Sequence, residues 1–212
     1  MTAAEGAALR AGARALGVDV PDAAVGRLDR FLGLLETWNR RIHLTGERTR
    51  AVLLTKHVVD SLAPVRYLPD TGPVVDVGSG AGFPGIVLSC LRPELDIVLL
   101  EPRRRPTSFL REAIRSIALP RARALELRAE AAAKDPALAG RCRAIVARAI
   151  RLDEFCVLAA PLLAPGGVAI AMQTPRTALA RVDSAPLVVS ETRDYTLPGG
   201  ERRRLVLFGR SA

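Results

Sequence analysis

A doubly wound α/β sheet entered through a helical segment is the fold this chain predicts, on three observations. From Val74 onward, strand-like apolar runs alternate with helix patterns, as in a mostly parallel sheet covered on both faces. The first of those strands runs straight into a glycine-packed turn, Gly78-Ser79-Gly80-Ala81-Gly82. The last two strand-like runs, 187–197 and 202–209, are joined by Pro198-Gly199-Gly200-Glu201, a loop short enough for an antiparallel hairpin. Five strands and that hairpin make a seven-stranded sheet. The chain divides into a helical segment, 1–66, and a sheet-bearing core, 67–212.

The helical segment is read from caps and periodicity. Thr2-Ala3-Ala4-Glu5 has capping-box spacing, Leu9, Ala13 and Leu16 share one face, and Gly17 ends that helix. After Pro21-Asp22, the residues Val25, Leu28, Leu32, Leu35, Trp38 and Ile42 recur at helical spacing. A third helix is expected from about Thr49 to Leu62, before Pro64. In the core, strands are expected near 74–78, 95–101, 124–128, 143–148 and 167–173. Helices are expected near 84–91, 106–118, 152–163 and 175–182.

The chemistry concentrates in Asp76-Val77-Gly78-Ser79-Gly80-Ala81-Gly82-Phe83-Pro84-Gly85. Gly78, Gly80 and Gly82 let backbone approach a ligand without a Cβ between them, and the amides of the following helix are expected to face that ligand. Asp76 stands where a dinucleotide's pyrophosphate would meet a like charge, so a cationic ligand fits better. S-adenosylmethionine, with a sulfonium and an ammonium, matches. The dinucleotide pattern that starts at Gly80 is out of register, since the strand already ends near Gly78. Glu101 closes the next strand about twenty residues on, where a Rossmann-like fold places its ribose-binding acid.

Composition narrows the partners. The 212 residues carry a net charge of +9, and almost all the basic residues are arginines, since the lysines are Lys56 and Lys134. Arginine's planar fork binds phosphate oxygens bidentately, so a nucleic-acid partner is expected. Arg40 with Arg41, Arg48 with Arg50, Arg103 to Arg105 and Arg202 to Arg204 cluster at segment ends, where binding surfaces lie. Arg103, Arg104 and Arg105 are expected on phosphate, and Asn39 is the better polar-contact candidate beside a packed Trp38. Cys90, Cys142 and Cys156 are widely spaced and expected as buried thiols, and with only His43 and His57 besides them no metal site is expected. No apolar run is long enough to span a membrane. A cytoplasmic monomer with no membrane partner is the expectation.

Four ordered motifs sharpen this reading: Trp38 to Thr45 (WNRRIHLT), Lys56 to Ser61 (KHVVDS), the loop from Asp76 to Gly85, and Phe109-Leu110-Arg111-Glu112. On these the chain resembles the RsmG/GidB methyltransferases from about Leu28 to Arg210. The resemblance implies a class I fold that transfers a methyl group from S-adenosylmethionine to N7 of a guanine in 16S ribosomal RNA. It implies cofactor contacts at Gly78, Phe83, Ala129, Glu130 and Arg148. It brings Asn39, Arg40, Arg41 and Lys56 toward the RNA or small-subunit partner. Guanine N7 carries no proton, so no general base is required, and alignment should supply most of the acceleration. Orienting candidates are His57, Asp60 and Ser61, whose spacing puts them on one helix face, together with Arg148.

The chain departs from the family pattern at His43, where Asn is usual, and at Met172-Gln173-Thr174, where Leu-Lys-Gly is usual. Alternatives are a methyltransferase with a small-molecule or protein acceptor and a non-catalytic ribosome-binding factor. A nicotinamide reductase fits the loop least.

Overall fold

The computed structural model describes residues 1–47, 49–177 and 186–210. Its seven strands lie in one sheet in the order β3-β2-β1-β4-β5-β7-β6. They are β1 Val74–Val77, β2 Ile97–Leu100, β3 Ala122–Leu125, β4 Cys142–Arg148, β5 Leu163–Gln173, β6 Val188–Thr196 and β7 Arg202–Gly209. The first five pair in parallel, and β7 runs antiparallel between β5 and β6. Every residue of β1 and β2 is buried, because helices cover both faces of a parallel sheet and leave no wet side.

Two apolar clusters, one per face, hold the sheet. The first joins Val74, Leu99 and Val146 to α2 (Asp22–Ile42), α5 (Gly85–Leu91) and α6 (Arg104–Ile117), and it also takes Leu9 and Ala13 of α1 (Ala3–Ala15). The helical segment thus shares a core with one sheet face. The second cluster packs Val75, Val98 and Ile145 against α7 (Ala129–Ala132) and α8 (Leu152–Ala159). All three cysteines are buried and free, as expected.

Local chemistry explains the element ends. The Thr2–Glu5 capping box is present, and Gly17 turns the chain at φ +69 after α1. α2 ends at His43 in the left-handed region (φ 50), a position that favours Asn over other side chains. That is the physical meaning of the first departure from the family pattern.

Four expectations are corrected. The third helix is composite: α3 (Arg50–Val52), a π-helical stretch Leu53–Val58, α4 (Val59–Leu62) and a 3-10 turn Ala63–Tyr67. Strand β3 stops at Leu125 rather than near 128, because its partner β2 ends at Leu100 and Arg128 becomes the extended cap of α7. The helix expected over 152–163 ends at Ala159, ahead of Pro161, and β5 starts four residues early at Leu163. Residues 175–177 are not helical, and the rest of the helix expected over 175–182 lies outside the described residues.

Candidate functional site

The glycine loop follows β1 at the sheet's centre and lies across the C-terminal ends of β1 and β2. Gly82 sits at φ +92, and a Cβ there would lie 2.8 Å from Ile86. Gly85 leaves room for Asp76, whose Oδ2 would stand 2.5 Å from an added Cβ. These close approaches explain the glycines.

Asp76 is wholly buried beneath the loop rather than at its mouth, and its Oδ2 accepts the Gly85 N–H at 2.9 Å. The expectation that helix amides face the ligand is therefore corrected: the first amide of α5 is consumed by Asp76. Other loop amides are also committed, those of Gly78 and Ser79 to Leu100 O, that of Gly80 to Glu101 and that of Gly82 to Ser79 O. A loop that spends its amides internally makes a poor pyrophosphate cradle, which removes the dinucleotide reading on geometry. Asp76 Oδ1 is buried with no hydrogen-bond partner among the described residues. Burial pushes the Asp76 carboxyl up to about 6, against opposing hydrogen bonds from Ser79 and Gly85. Above that pH it is a buried negative charge under the loop, and a cationic group in the loop's mouth lowers its energy.

Glu101 closes β2 and is almost fully buried. Its carboxylate accepts the Gly80 amide at 3.0 Å, the Arg103 amide at 3.0 Å and the Arg103 guanidinium Nε at 2.8 Å. Burial raises this carboxyl, but the Arg103 and Gly80 hydrogen bonds outweigh that and hold it below the usual range. Arg103, expected on phosphate, thus rests on the acid expected to hold the ribose. Ala129 is buried at the start of α7 and Glu130 is exposed beside it, past the end of β3.

A second centre lies beyond the loop. Arg148, at the end of β4, meets His57 Nδ1 at 2.8 Å and Asp60 Oδ2 at 3.5 Å, and its guanidinium stands 5.4 Å from the Phe83 ring centroid. Phe83 is itself buried, packed 5.2 Å from the His57 ring and 5.3 Å from Phe31, so it is a wall of this centre. Arg148 always carries its protons, so His57 Nδ1 accepts and Nε2 holds the ring hydrogen. Burial and the Arg148 charge lower His57 to about 4, leaving it neutral. The buried Asp60 carboxyl is raised by burial, opposed by Tyr195, whose hydroxyl donates to Oδ1 at 2.7 Å, and by Arg148 and Arg203.

Ser61 departs from the expected cluster. It is fully buried and its hydroxyl donates to the His57 carbonyl at 2.7 Å, while the π-helical turn before it rotates His57 and Asp60 together toward Arg148. Asn39 is likewise committed locally, bonding the Thr45 amide at 2.8 Å and the Thr45 carbonyl at 3.0 Å. Arg50 ties helices together through Glu5, Asp29 and Glu36, so it is structural, and its expected neighbour Arg48 lies outside the described residues. Arg40 and Arg41 are exposed at the end of α2. Arg103 to Arg105 are exposed beside a cleft of about 320 Å³ shared with Ile42, His43 and Leu44.

A cavity of about 340 Å³ opens at this second centre, bordered by Lys56, His57, Asp60, Arg148, Gln173 and Arg203. Tyr195 escaped the sequence reading, and Arg203, read only as part of the Arg202 to Arg204 cluster, was not expected at this cavity. Their signal was in the hairpin register, which sets Tyr195 opposite Arg203 on the face that holds Leu205 and Leu207. Gln173, the second departure, donates to Ile150 O at 2.7 Å and fastens the end of β5 to the loop after β4.

The sheet order, the loop at β1 and the acid at β2 define a class I S-adenosylmethionine-dependent methyltransferase. Solved structures agree on the fold. A TehB-like SAM-dependent methyltransferase from Corynebacterium glutamicum matches with TM-score 0.58 at 14% identity, over 84% of this chain and 99% of that one. TrmN from Thermus thermophilus matches with TM-score 0.57 at 22% identity, over 82% of this chain and 53% of that one. The family model for rRNA small subunit methyltransferase G matches residues 25–205. Ribosomal RNA small subunit methyltransferase G of Geobacter sp. (strain M21) is 34% identical over 211 residues, 96% of each chain. That of Xanthomonas axonopodis pv. citri is 37% identical over 206 residues, 95% of this chain and 93% of that one. The chain belongs to the rRNA small subunit methyltransferase G family, and its cofactor is S-adenosylmethionine. Among the described residues no helix is long and apolar enough to cross a membrane, and no group of three or more His, Cys, Asp or Glu is placed to hold a metal ion.

Proposed function

We propose that this protein methylates N7 of a guanine in 16S ribosomal RNA, with the base entering the cavity beside Arg148. The carrying observation is the character of that cavity. Its rim is rich in donors, Lys56, Arg148 and Arg203, while Asp60, the one carboxylate among the described residues that line it, is buried and already bonded to Tyr195. Guanine's Hoogsteen edge presents two acceptors, N7 and O6, whereas adenine presents a donor beside N7. A donor-lined cavity therefore favours guanine, with O6 read by a cation and N7 left free to react.

When bound, S-adenosylmethionine supplies a methyl group carried on a sulfonium. The residues that fit it are the loop Gly78 to Gly82, with Asp76 providing negative charge beneath and Glu101 presenting acceptors to the ribose hydroxyls. Ala129 and Glu130 lie where the adenine edge is expected. With the cofactor bound, guanine N7 would take the methyl on its own free lone pair, the thioether would be the leaving group, and the positive charge would be left on the purine ring. No proton moves, so neutral His57 and the tied Asp60 serve as fixed parts. His57 holds Arg148 by its Nδ1 lone pair, Asp60, itself fixed by the Tyr195 hydroxyl, holds it from the other side, and Arg148 fixes the base. Lys56 is held by Glu47 at 2.8 Å at the cavity's rim. The helical segment caps this side, and the exposed Arg40, Arg41, Arg104 and Arg105 contribute phosphate contacts.

The test is to incubate the protein with labelled S-adenosylmethionine and either 16S ribosomal RNA, small subunits or a metabolite pool, then map strand scission at N7-methylguanine. Label in one guanine of 16S RNA supports the reading. Label in adenine, in protein or in small molecules overturns it.

A further inference from the structure

A groove of about 530 Å³ lies apart from both centres, between the C-terminal end of α1, the 3-10 turn Ala63–Tyr67 and strand β6. Arg14, Arg66 and Arg193 border it, with Tyr67 and Tyr195 as walls and the buried Leu205 among its lining. The three arginines come from three separate elements and converge on one concavity. All three are exposed, and none lies within salt-bridge distance of a carboxylate among the described residues. Two acids belong to this region, Asp194 in the groove's own lining and Glu191 beside Tyr67, and both are engaged. Glu191 accepts the Tyr67 hydroxyl at 3.2 Å, and Asp194 is held by Arg204 at 2.6 and 2.9 Å. Three guanidiniums left without anionic partners in one groove form a receptor for anions.

The groove's position says which anion. Its wall residue Tyr195 donates to Asp60 Oδ1 at 2.7 Å, and Asp60 borders the base cavity on its other side. One Tyr195–Asp60 pair thus separates groove from cavity. Tyr195 pairs with Arg203, and Gln173 at the end of β5 pairs with Arg204, so the groove lies at the same end of the sheet as the cavity. It continues the β4–β5–β7 half, away from Glu101 and the cofactor loop.

We propose that this groove binds the RNA backbone flanking the target nucleotide, with Arg14, Arg66 and Arg193 on successive phosphates while the base occupies the cavity across the Tyr195–Asp60 wall. The proposal rests on the ribosomal RNA reading above. It places the main phosphate track on the hairpin side of the sheet, whereas Arg103 beside the cofactor loop is already paired with Glu101.

The experiment measures binding of fluorescently labelled 16S ribosomal RNA fragments between 50 and 200 mM salt. It compares the wild type with an Arg14→Gln/Arg66→Gln/Arg193→Gln variant, an Arg14→Lys/Arg66→Lys/Arg193→Lys variant and single Arg193→Gln. Each phosphate contact on a single strand contributes roughly 0.7 to the slope of log affinity against log salt. The triple Gln variant is expected to lose about 2 units of slope, and Arg193→Gln roughly 0.7, with the Lys variant near wild type. Calorimetric binding of S-adenosylhomocysteine is expected to be unchanged in each, which shows the fold intact. If the triple variant is unstable, the single variant carries the test. Wild-type slope and affinity in the Gln variants overturn the groove, even where the wild type methylates RNA. Failure of the wild type to bind or methylate ribosomal RNA instead overturns the ribosomal RNA reading itself.

Discussion

Arg103→Ala should tighten binding of S-adenosylhomocysteine, while Glu101→Ala should weaken it, although the two residues are partners in one ion pair. Glu101 receives the Arg103 Nε at 2.8 Å and Nη2 at 3.3 Å, and on the proposed ribose role of Glu101 the ribose hydroxyls would replace those contacts. The competitor is weak, because the Arg103 side chain is 69% exposed while Glu101 is only 2% exposed. Ion pairs of that kind are worth roughly 0.2–1 kcal/mol. Removing the guanidinium should therefore improve affinity between about 1.4-fold and fivefold. Removing Glu101 deletes hydrogen bonds to a charged acceptor, each on the order of 1.5–3 kcal/mol, and frees the Gly80 amide as well, so at least a tenfold loss is expected. Calorimetry at 50 and 300 mM salt checks both. The Arg103→Ala gain should shrink at the higher salt as the ion pair is screened in the wild type. Weaker binding by Arg103→Ala, or a gain indifferent to salt, would refute competition at Glu101 and make Arg103 a cofactor contact.

Asp76, raised to about 6 from an ordinary value of 3.8, binds a proton more readily folded than unfolded, so its contribution is full below pH 3.8 and lost as pH climbs through 6. Asp76→Asn is neutral throughout, and its melting temperature relative to wild type should rise between pH 4 and 7, by an amount corresponding to about 1–3 kcal/mol. A flat difference would show that Asp76 is ordinarily solvated. His57 runs the other way: lowered to about 4 from 6.5, it stays neutral in the fold while the unfolded chain takes up the proton first. The stability associated with it is present above pH 6.5 and lost as pH falls toward 4, so the advantage of wild type over His57→Gln should narrow by about 2 kcal/mol from pH 7 to pH 5. Thermal melts at the two pH values decide this. The thiols of Cys90, Cys142 and Cys156 are pushed up by burial to about 12, 11 and 11, so an alkylating reagent at pH 8 should label the native protein at the rate of global unfolding. Rapid labelling of any one of them would mean local opening.

How far these residues were legible in sequence follows from the kind of physics behind each. The alternation of strands and helices and the closing hairpin came through because they rest on local signals: continuous apolar runs, a glycine turn, and a loop of fixed length that sets the register of β6 on β7. The placement of Glu101 at the end of β2 beside the loop came through for the same reason, since its distance from the loop is a distance along one βαβ unit. Asp76 came through in identity but not in position. A strand-end acid points either into the mouth of the loop or beneath it, and the choice falls to Gly85, whose missing Cβ makes the space that draws the carboxylate under.

The second centre was only partly legible, because its logic is tertiary. Spacings of three and four residues put His57, Asp60 and Ser61 on one face of an ideal α-helix, but the π-helical turn Leu53–Val58 changes the angle per residue just upstream. His57 and Asp60 therefore converge on Arg148 while Ser61 folds back on its own helix. Tyr195 and Arg203 lie more than 130 residues beyond Asp60 in the chain, and Tyr195 bonds it at |i−j| of 135. No local pattern carries such a contact; the sheet order does, by laying β7 beside β5 and so bringing the hairpin back over the end of β4. The same argument applies to the basic clusters. Runs of arginine in sequence, Arg103 to Arg105 and Arg202 to Arg204, advertise phosphate binding, yet Arg103 is bonded to Glu101 and Arg202 and Arg204 to Asp194. Arg14, Arg66 and Arg193, each isolated in the sequence, are the ones that the fold gathers in one groove with no carboxylate in salt-bridge reach among the described residues, the Asp194 of the lining being held by Arg204. Charge density along a chain and charge availability in space are different quantities, and only the second one binds.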